Sequence, residues 1–398
     1  MIAVIGLVTA CWFVWNRSRT SPFEIAENSP SSPAFTQDTP AELPRVQPIV
    51  TNPPPAVVPT NIVASPLPVA PNNTVPLVET NVLVVPVILS TNTDGSVTLP
   101  GWIEEPPDEA LYASHAARDV LEAQVGLANH GISPGPIDGV MGSQTRLAIR
   151  AFQEQLGIPI TGELDAYTRR ALWVRQNPIT TYLVTTNDLA RLMTVPDTWL
   201  EKSEQARLDY ESVLELVAER GWAYESFIRS RNPEIDWLNV KAGTKAEIPN
   251  VRLPKFNATA AYAKIHLGGR NLQVYDANRR IMIHFPCSIA QRVDKRPLGE
   301  LHVAVIVREP NYTFNPEIFT ESEEGRLLGR KLTVPPGPNN PVGVVWVGLD
   351  REGYGIHGTP QPELVGRTES HGCFRLANWN ARILAEIAWP GMPVYIEN

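Results

Sequence analysis

Ile356-His357-Gly358-Thr359-Pro360 is followed by Ser370-His371-Gly372-Cys373-Phe374-Arg375-Leu376, which sets a histidine 16 residues ahead of a cysteine in a turn-forming context. A thiol within reach of an imidazole is what acyl transfer through a thioester requires. The chain holds three cysteines in 398 residues, Cys11, Cys287 and Cys373. They are too few and too scattered for a disulfide framework or a Cys-rich zinc site. A Cys287–Cys373 bridge stays open, and it would silence the nucleophile. Around this stretch the apolar residues fall in short runs, Ala263–Leu267, Leu272–Tyr275, Ile281–Phe285, Leu301–Val307, Val344–Leu349 and Pro393–Ile396, split by Gly, Pro, Asn and Asp turns. Those runs read as strands. Only Asn378–Ala388 reads as a helix, so residues 261–397 are expected to form a β-rich domain.

Towards the N-terminus the pattern changes. In residues 110–175, Val120, Ala123 and Leu127 recur on one helical face, then Thr145, Ala148, Ile149, Phe152 and Leu156 on another, with Ser143 as the expected N-cap. An echo runs through this region: Gly139-x5-Thr145-Arg146 is repeated as Gly162-x5-Thr168-Arg169, 23 residues on. Residues 181–251 open and close on strand-like runs around helical material that includes Asp209–Glu215. Residues 21–108 hold roughly half of the 38 prolines and few charges. Proline fixes φ and removes a donor, so a disordered linker is expected there, with Leu83–Leu89 its most apolar stretch. Residues 1–20 carry the uncharged run Ile2–Trp15, the length of a signal-peptide core, with Arg17 and Arg19 after it and Val8-Thr9-Ala10-Cys11 similar to a lipoprotein cleavage box. The expectation is a signal peptide or membrane anchor and an extracytoplasmic chain. A net charge of −8 argues against a nucleic-acid partner.

Residues 261–397 resemble the L,D-transpeptidase catalytic family along their whole length, through Pro286-Cys287-Ser288, Arg296–Glu300, Pro336–Gly343, Tyr354–Thr359 and Ser370–Leu376. Residues 110–175 look like a three-helix peptidoglycan-binding domain, on Ile137-Asp138-Gly139, Gly142, Thr145, Ala148, Phe152-Gln153, Gly157, Gly162, Thr168 and Leu172. The frame of residues 181–251, with Asn232-Pro233 and a Gly243-Thr244…Ile248-Pro249 ending, is similar to a LysM carbohydrate-binding module, apart from a helical insertion; a plain spacer packed on the catalytic domain is the other reading. The implied whole is a multidomain α+β protein of the periplasm or another extracytoplasmic space, anchored to the inner membrane by its N-terminal segment.

The resemblance implies Cys373 as nucleophile, His357 as proton acceptor and donor, and the Gly358 carbonyl as the group orienting His357. It places His371 and Gly372 in the oxyanion loop, and Ser370, Arg375, Tyr354 and Asn339 at the substrate, with Arg375 either binding a carboxylate or bracing the loop. The substrate it implies is the stem peptide of peptidoglycan. No cofactor is implied. Zinc ligation by His357, His371 and Cys373 lacks a fourth partner. Two other functions stay open: a cysteine carboxypeptidase or endopeptidase using water as acceptor, and a wall-binding tether without activity.

Overall fold

β-branched and aromatic runs fold as strands when they can bury at least one face. The computed structural model, which describes residues 90–99, 101, 112–317, 322–367 and 372–398, turns each of the runs after residue 260 into a strand. The described residues all belong to one compact unit, Thr80–Asn398. Among them no helix is long and apolar enough to cross a membrane. Residues 1–20, the Leu83–Leu89 run and most of the Pro-rich stretch lie outside the described residues.

The first module comprises β1 (His115–Ala116), α1 (Val120–Asn129), α2 (Ser143–Leu156), α3 (Ala166–Ala171) and β2 (Trp173–Val174). Its repeat has a physical cause that the Gly-x5-Thr spacing only hints at. From α1, the buried Gln124 side-chain oxygen accepts from Gly139 N at 2.7 Å, and its Nε2 donates to Thr145 Oγ1 at 3.1 Å. From α2, Gln153 repeats this, accepting from Gly162 N at 2.8 Å and donating to Thr168 Oγ1 at 2.9 Å. Gly139 and Gly162 share the same left-handed φ of 74°, which costs glycine nothing. Each unit is thus a turn and helix clasped by a buried amide from the preceding helix. The expected N-cap at Ser143 is displaced: Gly142 holds the cap position and Ser143 begins α2 without a side-chain cap bond. Residues 90–99, read as linker, instead make a small turn, with a Thr91–Val97 bridge and Val97 buried in this module's core. One apolar side chain with a place in the core is enough to fix them.

The second module runs β3 (Ile179–Leu183), α4 (Thr186–Ala190), α5 (Trp199–Glu204), α6 (Val213–Arg220), α7 (Glu225–Arg231) and β4 (Lys245–Pro249), with β3 and β4 antiparallel. Helix α6 begins later than the Asp209–Glu215 reading, because Ser212 caps it through Glu215 N. Its core is continuous with that of the catalytic domain: Tyr210, Leu216 and Val217 belong to the same buried cluster as Ile265, Val274 and Leu384.

The third part contains β5 (Ala260–His266), β6 (Asn271–Asp276), β7 (Ile281–Pro286), β8 (Gly299–Arg308), β9 (Tyr312–Phe314), α8 (Glu323–Leu328), β10 (Leu332–Val334), β11 (Val345–Leu349), β12 (Gly355–His357), β13 (Phe374–Arg375), α9 (Asn378–Ile387) and β14 (Pro393–Glu397). Eight of its strands form one sheet, ordered β13-β12-β11-β8-β14-β5-β6-β7. All neighbours are antiparallel except β12–β13 and β14–β5. Strands β9 and β10 make a separate hairpin. Helix α8 corrects the one-helix reading; Ser322 caps it, and six polar-rich residues are too few to display an apolar period.

Every residue of β6 and β7 is buried. An edge strand left bare invites pairing with another chain, and here the first module covers it. His284 N donates to Gly131 O at 3.0 Å, Ser133 N to His284 O at 2.8 Å, and Gln155 Nε2 to Ile281 O at 3.0 Å.

The second module is fastened through Glu215. Its carboxylate accepts from Asn339 Nδ2 at 2.8 Å and from Glu211 N at 2.7 Å. Burial pushes its pKa up to about 7, with the Glu219 and Glu211 carboxylates adding to the rise and the hydrogen bonds opposing it. Between the ordinary carboxylate range and about 7 the folded chain therefore holds a proton that the unfolded chain has lost. Stability from this group is present in acid and is lost as pH rises through that window. Glu215→Gln is expected to flatten this loss, by at most about 3.5 kcal/mol. Melting temperatures of both proteins at pH 5 and pH 8 check it; equal pH dependence refutes it.

Candidate active site

Strand periodicity builds the site. Side chains two apart on a strand share a face, so Cys373, just ahead of β13, and Arg375 on it point the same way. The parallel β12–β13 register sets His357 beside Arg375, and the antiparallel β11–β12 register sets it beside Trp346. His357, Trp346, Cys373 and Arg375 thereby line one cavity of about 640 Å³. The Trp346 and His357 rings stack at 5.7 Å and 22°. Two bonds between Ser288 and Arg375, at 2.9 and 3.0 Å, hold the backbone of β13.

His357 is buried, and its Nδ1 lies 2.6 Å from the Gly358 carbonyl oxygen. A carbonyl only accepts, so Nδ1 carries the proton and Nε2 keeps its lone pair. Burial drives the His357 pKa down to about 4, Arg375 adding to the fall and the Gly358 bond opposing it. The Cys373 thiol is half-buried and donates to Gly353 O at 3.6 Å. Burial raises its pKa, against a backbone hydrogen bond at Gly355 and the charge of Arg375. Both shifts favour neutral forms. Together they favour thiol and imidazole over an ion pair.

Arg375 is half-buried, and among the described residues no carboxylate pairs with it and no backbone oxygen accepts from its guanidinium. Burial lowers its pKa, with Cys373 and Tyr312 opposing the fall. A desolvated cation with no carboxylate partner among the described residues is suited to a ligand carboxylate. Tyr312 also faces the site; burial and Cys373 push its pKa up to about 12.

Gly372 lines the cavity, and a Cβ built on it would meet nothing within 4 Å. Ser370 and His371 lie outside the described residues. Tyr354 sits in the β11–β12 turn beneath Arg351, whose guanidinium is 4.8 Å from the ring centroid, and it does not line the cavity. Asn339 is likewise directed elsewhere, donating to Asp209 O and Glu215. The next residues along, Pro341 and Val342, supply that wall instead. Cys287 is buried and Cys373 half-buried, and the two are not bridged. Among the described residues no cluster of His, Cys, Asp and Glu is arranged to hold a metal ion.

Tyr312, Trp346 and Trp199 were not singled out by sequence reasoning. Trp346 had a signal, since alternation along Val345–Leu349 puts it on one face opposite the histidine strand. Trp199 had none, because it comes from another module.

Residues 260–396 match the L,D-transpeptidase catalytic domain family (YkuD), and residues 117–172 match the peptidoglycan-binding domain family. A YkuD protein of Bacillus licheniformis, assigned by name to the L,D-transpeptidases, is 29% identical over 166 residues, covering 42% of this chain and 81% of its own. The Escherichia coli K12 protein YbiS, named as a probable L,D-transpeptidase, is 30% identical over 158 residues, covering 39% of this chain and 50% of its own. A solved L,D-transpeptidase structure from Mycobacterium smegmatis aligns with 40% of this chain and 76% of its own at 16% identity and a TM-score of 0.27, a likeness too loose to add weight. On the sequence matches, residues 260–396 are an L,D-transpeptidase catalytic domain of the YkuD family, carried on one chain with an N-terminal peptidoglycan-binding domain.

Proposed function

We propose that the chain transfers acyl groups of peptidoglycan stem peptides through a thioester on Cys373. The observation that carries this reading is the neutral His357, with Nδ1 fixed on the Gly358 carbonyl and Nε2 left basic, in one cavity with the Cys373 thiol. Nε2 takes the thiol proton as sulfur attacks the carbonyl that joins the third stem residue to a terminal D-alanine. The C–N bond breaks, the leaving amine takes the proton back from His357, and the stem stays on sulfur. A neighbouring stem's amine then attacks the thioester, gives up its proton to His357 and restores the thiol. Backbone amides at Gly372 and Cys373, with His371 beside them, are the groups suited to the developing oxyanion; losing one such donor commonly costs about 10²–10³ in rate. Arg375 receives a carboxylate of the donor. The Gly358 carbonyl does what a carboxylate does in a Ser-His-Asp triad, holding the tautomer, and no acidic partner is needed.

The wall polymer is also the ligand proposed for residues 117–172, and the β3–β4 module is read as a LysM-like wall contact built into the same body. Such a substrate lies outside the cytoplasm, which agrees with the N-terminal segment acting as a signal or inner-membrane anchor. Intact mass and product analysis with a purified tetrapeptide stem test the reaction, with wild type and Cys373→Ala. D-alanine release with a crosslinked dimer, absent in the variant, is expected. Release without a dimer would replace transfer by hydrolysis; no release from folded protein would leave a wall-binding tether.

A further inference from the structure

The catalytic cavity is not closed by the catalytic domain alone. One wall is Trp199, the first residue of α5, which belongs to the stretch inserted between β3 and β4. The indole is half-buried and stacks on Phe314 of the β9–β10 hairpin at 4.4 Å and 14°, with Tyr312 at 5.9 Å. Both carboxylate oxygens of Glu324 in α8 accept from the start of α5, from Trp199 N at 2.9 Å and Leu200 N at 2.8 Å. Downstream, Leu208 N donates to Pro336 O at 2.9 Å, and Asn339 N to Leu208 O at 3.0 Å. The two strands of chain lie so close at this point that a Cβ on Gly337 would fall 2.0 Å from Leu208 O. Arg207 adds an ion pair to Glu309 at 2.7 Å. The insertion is therefore held on both sides of Trp199, by the hairpin and α8 and by the Pro336–Asn339 loop.

Simple fastening of one module to another needs no side chain in the cavity. Trp199 is in it, among Val307, Pro310, Val342 and Trp346, and the only formal charge among the described lining residues is that of Arg375. The cavity's volume is in the range that holds a small peptide or a drug-sized ligand. Apolar walls with a single cation select a molecule that pairs a carboxylate with a length of hydrocarbon.

We infer that Trp199 is a substrate-contacting residue that packs on the aliphatic part of the acyl-donor peptide while Arg375 takes the donor's carboxylate. This rests on the acyl-transfer reading of Cys373. It makes the insertion between β3 and β4 part of the transferase site, and it makes donor choice a property of two modules together.

The full chain is tested by steady-state release of D-alanine from a tetrapeptide stem, beside alkylation of Cys373 by iodoacetamide, which is too small to need the wall. Trp199→Ala is expected to raise KM about tenfold or more, with kcat within about threefold and alkylation unchanged, since an interaction lost equally from ground and transition states appears in KM. Trp199→Phe, which keeps an apolar wall, is expected to stay within about threefold of wild type in KM. Should Trp199→Ala fail to fold, Trp199→Gln reads the same quantity, because it keeps bulk and puts a polar end on the wall. A KM unchanged in these variants on an active enzyme, whatever happens to the melting temperature, overturns the inference alone. Wild type that is alkylated but releases no D-alanine overturns the acyl-transfer reading and this inference with it.

Discussion

His357→Ala is expected to lower kcat/KM for acylation of Cys373 by a tetrapeptide stem about 10²–10⁴-fold, the usual contribution of a positioned general base. The electrostatics sharpen the expectation beyond that number. In a thiolate–imidazolium pair the histidine has already taken its proton, and the variant would lose the stabilised thiolate. Here burial keeps the thiol protonated and drives His357 down to about 4. On the proposed function, proton transfer would then accompany the attack itself. Wild-type kcat/KM should hold level down to about pH 5 and fall through an inflection near 4, because below that point the base is occupied. His357→Ala should lose this acid limb and gain rate with rising pH as hydroxide or water takes over the thiol proton. A stopped-flow pH profile of acylation by both proteins decides it. A wild-type inflection near 6.5 would mean that the imidazole is far better solvated than its position on β12 allows.

Gln153→Leu is expected to cost about 2–4 kcal/mol, concentrated in the helical module. Gln153 is fully buried and serves Gly162 N, Thr161 Oγ1, Glu163 O and Thr168 Oγ1. Leucine fills the space and returns none of these bonds, and a buried group left without its partner costs about 1–3 kcal/mol. The hydroxyls can turn to other acceptors, whereas the Gly162 amide cannot, and that caps the loss. A fall in melting temperature together with faster exchange of the Gly162 amide is the expected signature. An unchanged melting temperature would mean that the clasp is redundant with the Phe152 core.

Strands β5 to β8, β11 and β14 were legible because their apolar runs are short and bounded by turn residues, whereas β9, β10, β12 and β13 have only two or three residues each, too few to show a run. That of β7 was plain because a strand buried on both faces reads as a nearly continuous apolar run. That Cys373 and His357 meet in one cavity was legible for a different reason: each lies in a short motif bounded by turn residues that leaves a local sequence mark. Arg375 was not legible in this way, since whether a guanidinium braces a loop or meets a ligand depends on partners far away in sequence. Asn339 and Tyr354 show the same limit. They lie in motifs beside the site, and their side chains go to other neighbours that no spacing reveals. The Gly-x5-Thr echo was visible, but its cause was not, because Gln124 and Gln153 stand at unequal distances ahead of their glycines. Trp199 is the extreme case, where nothing near residue 199 announces a cavity assembled more than 100 residues later.

The bonds that seat the helical module on β7 have a mechanical consequence. Gly131, Ser133 and Gln155 continue the catalytic sheet into that module, so the two move as one piece. A module on a loose string would let the thiol search every stem within a radius. A module fused to the sheet turns the molecule into a gauge with one fixed span. On the proposed function, with the helical end seated on a polymer, the Cys373 sulfur would stand at a single offset from that seat, and a stem would be presented to it or missed according to the repeat of the polymer itself. Choice among otherwise identical stems would then be made by distance, before any side chain in the cavity is consulted.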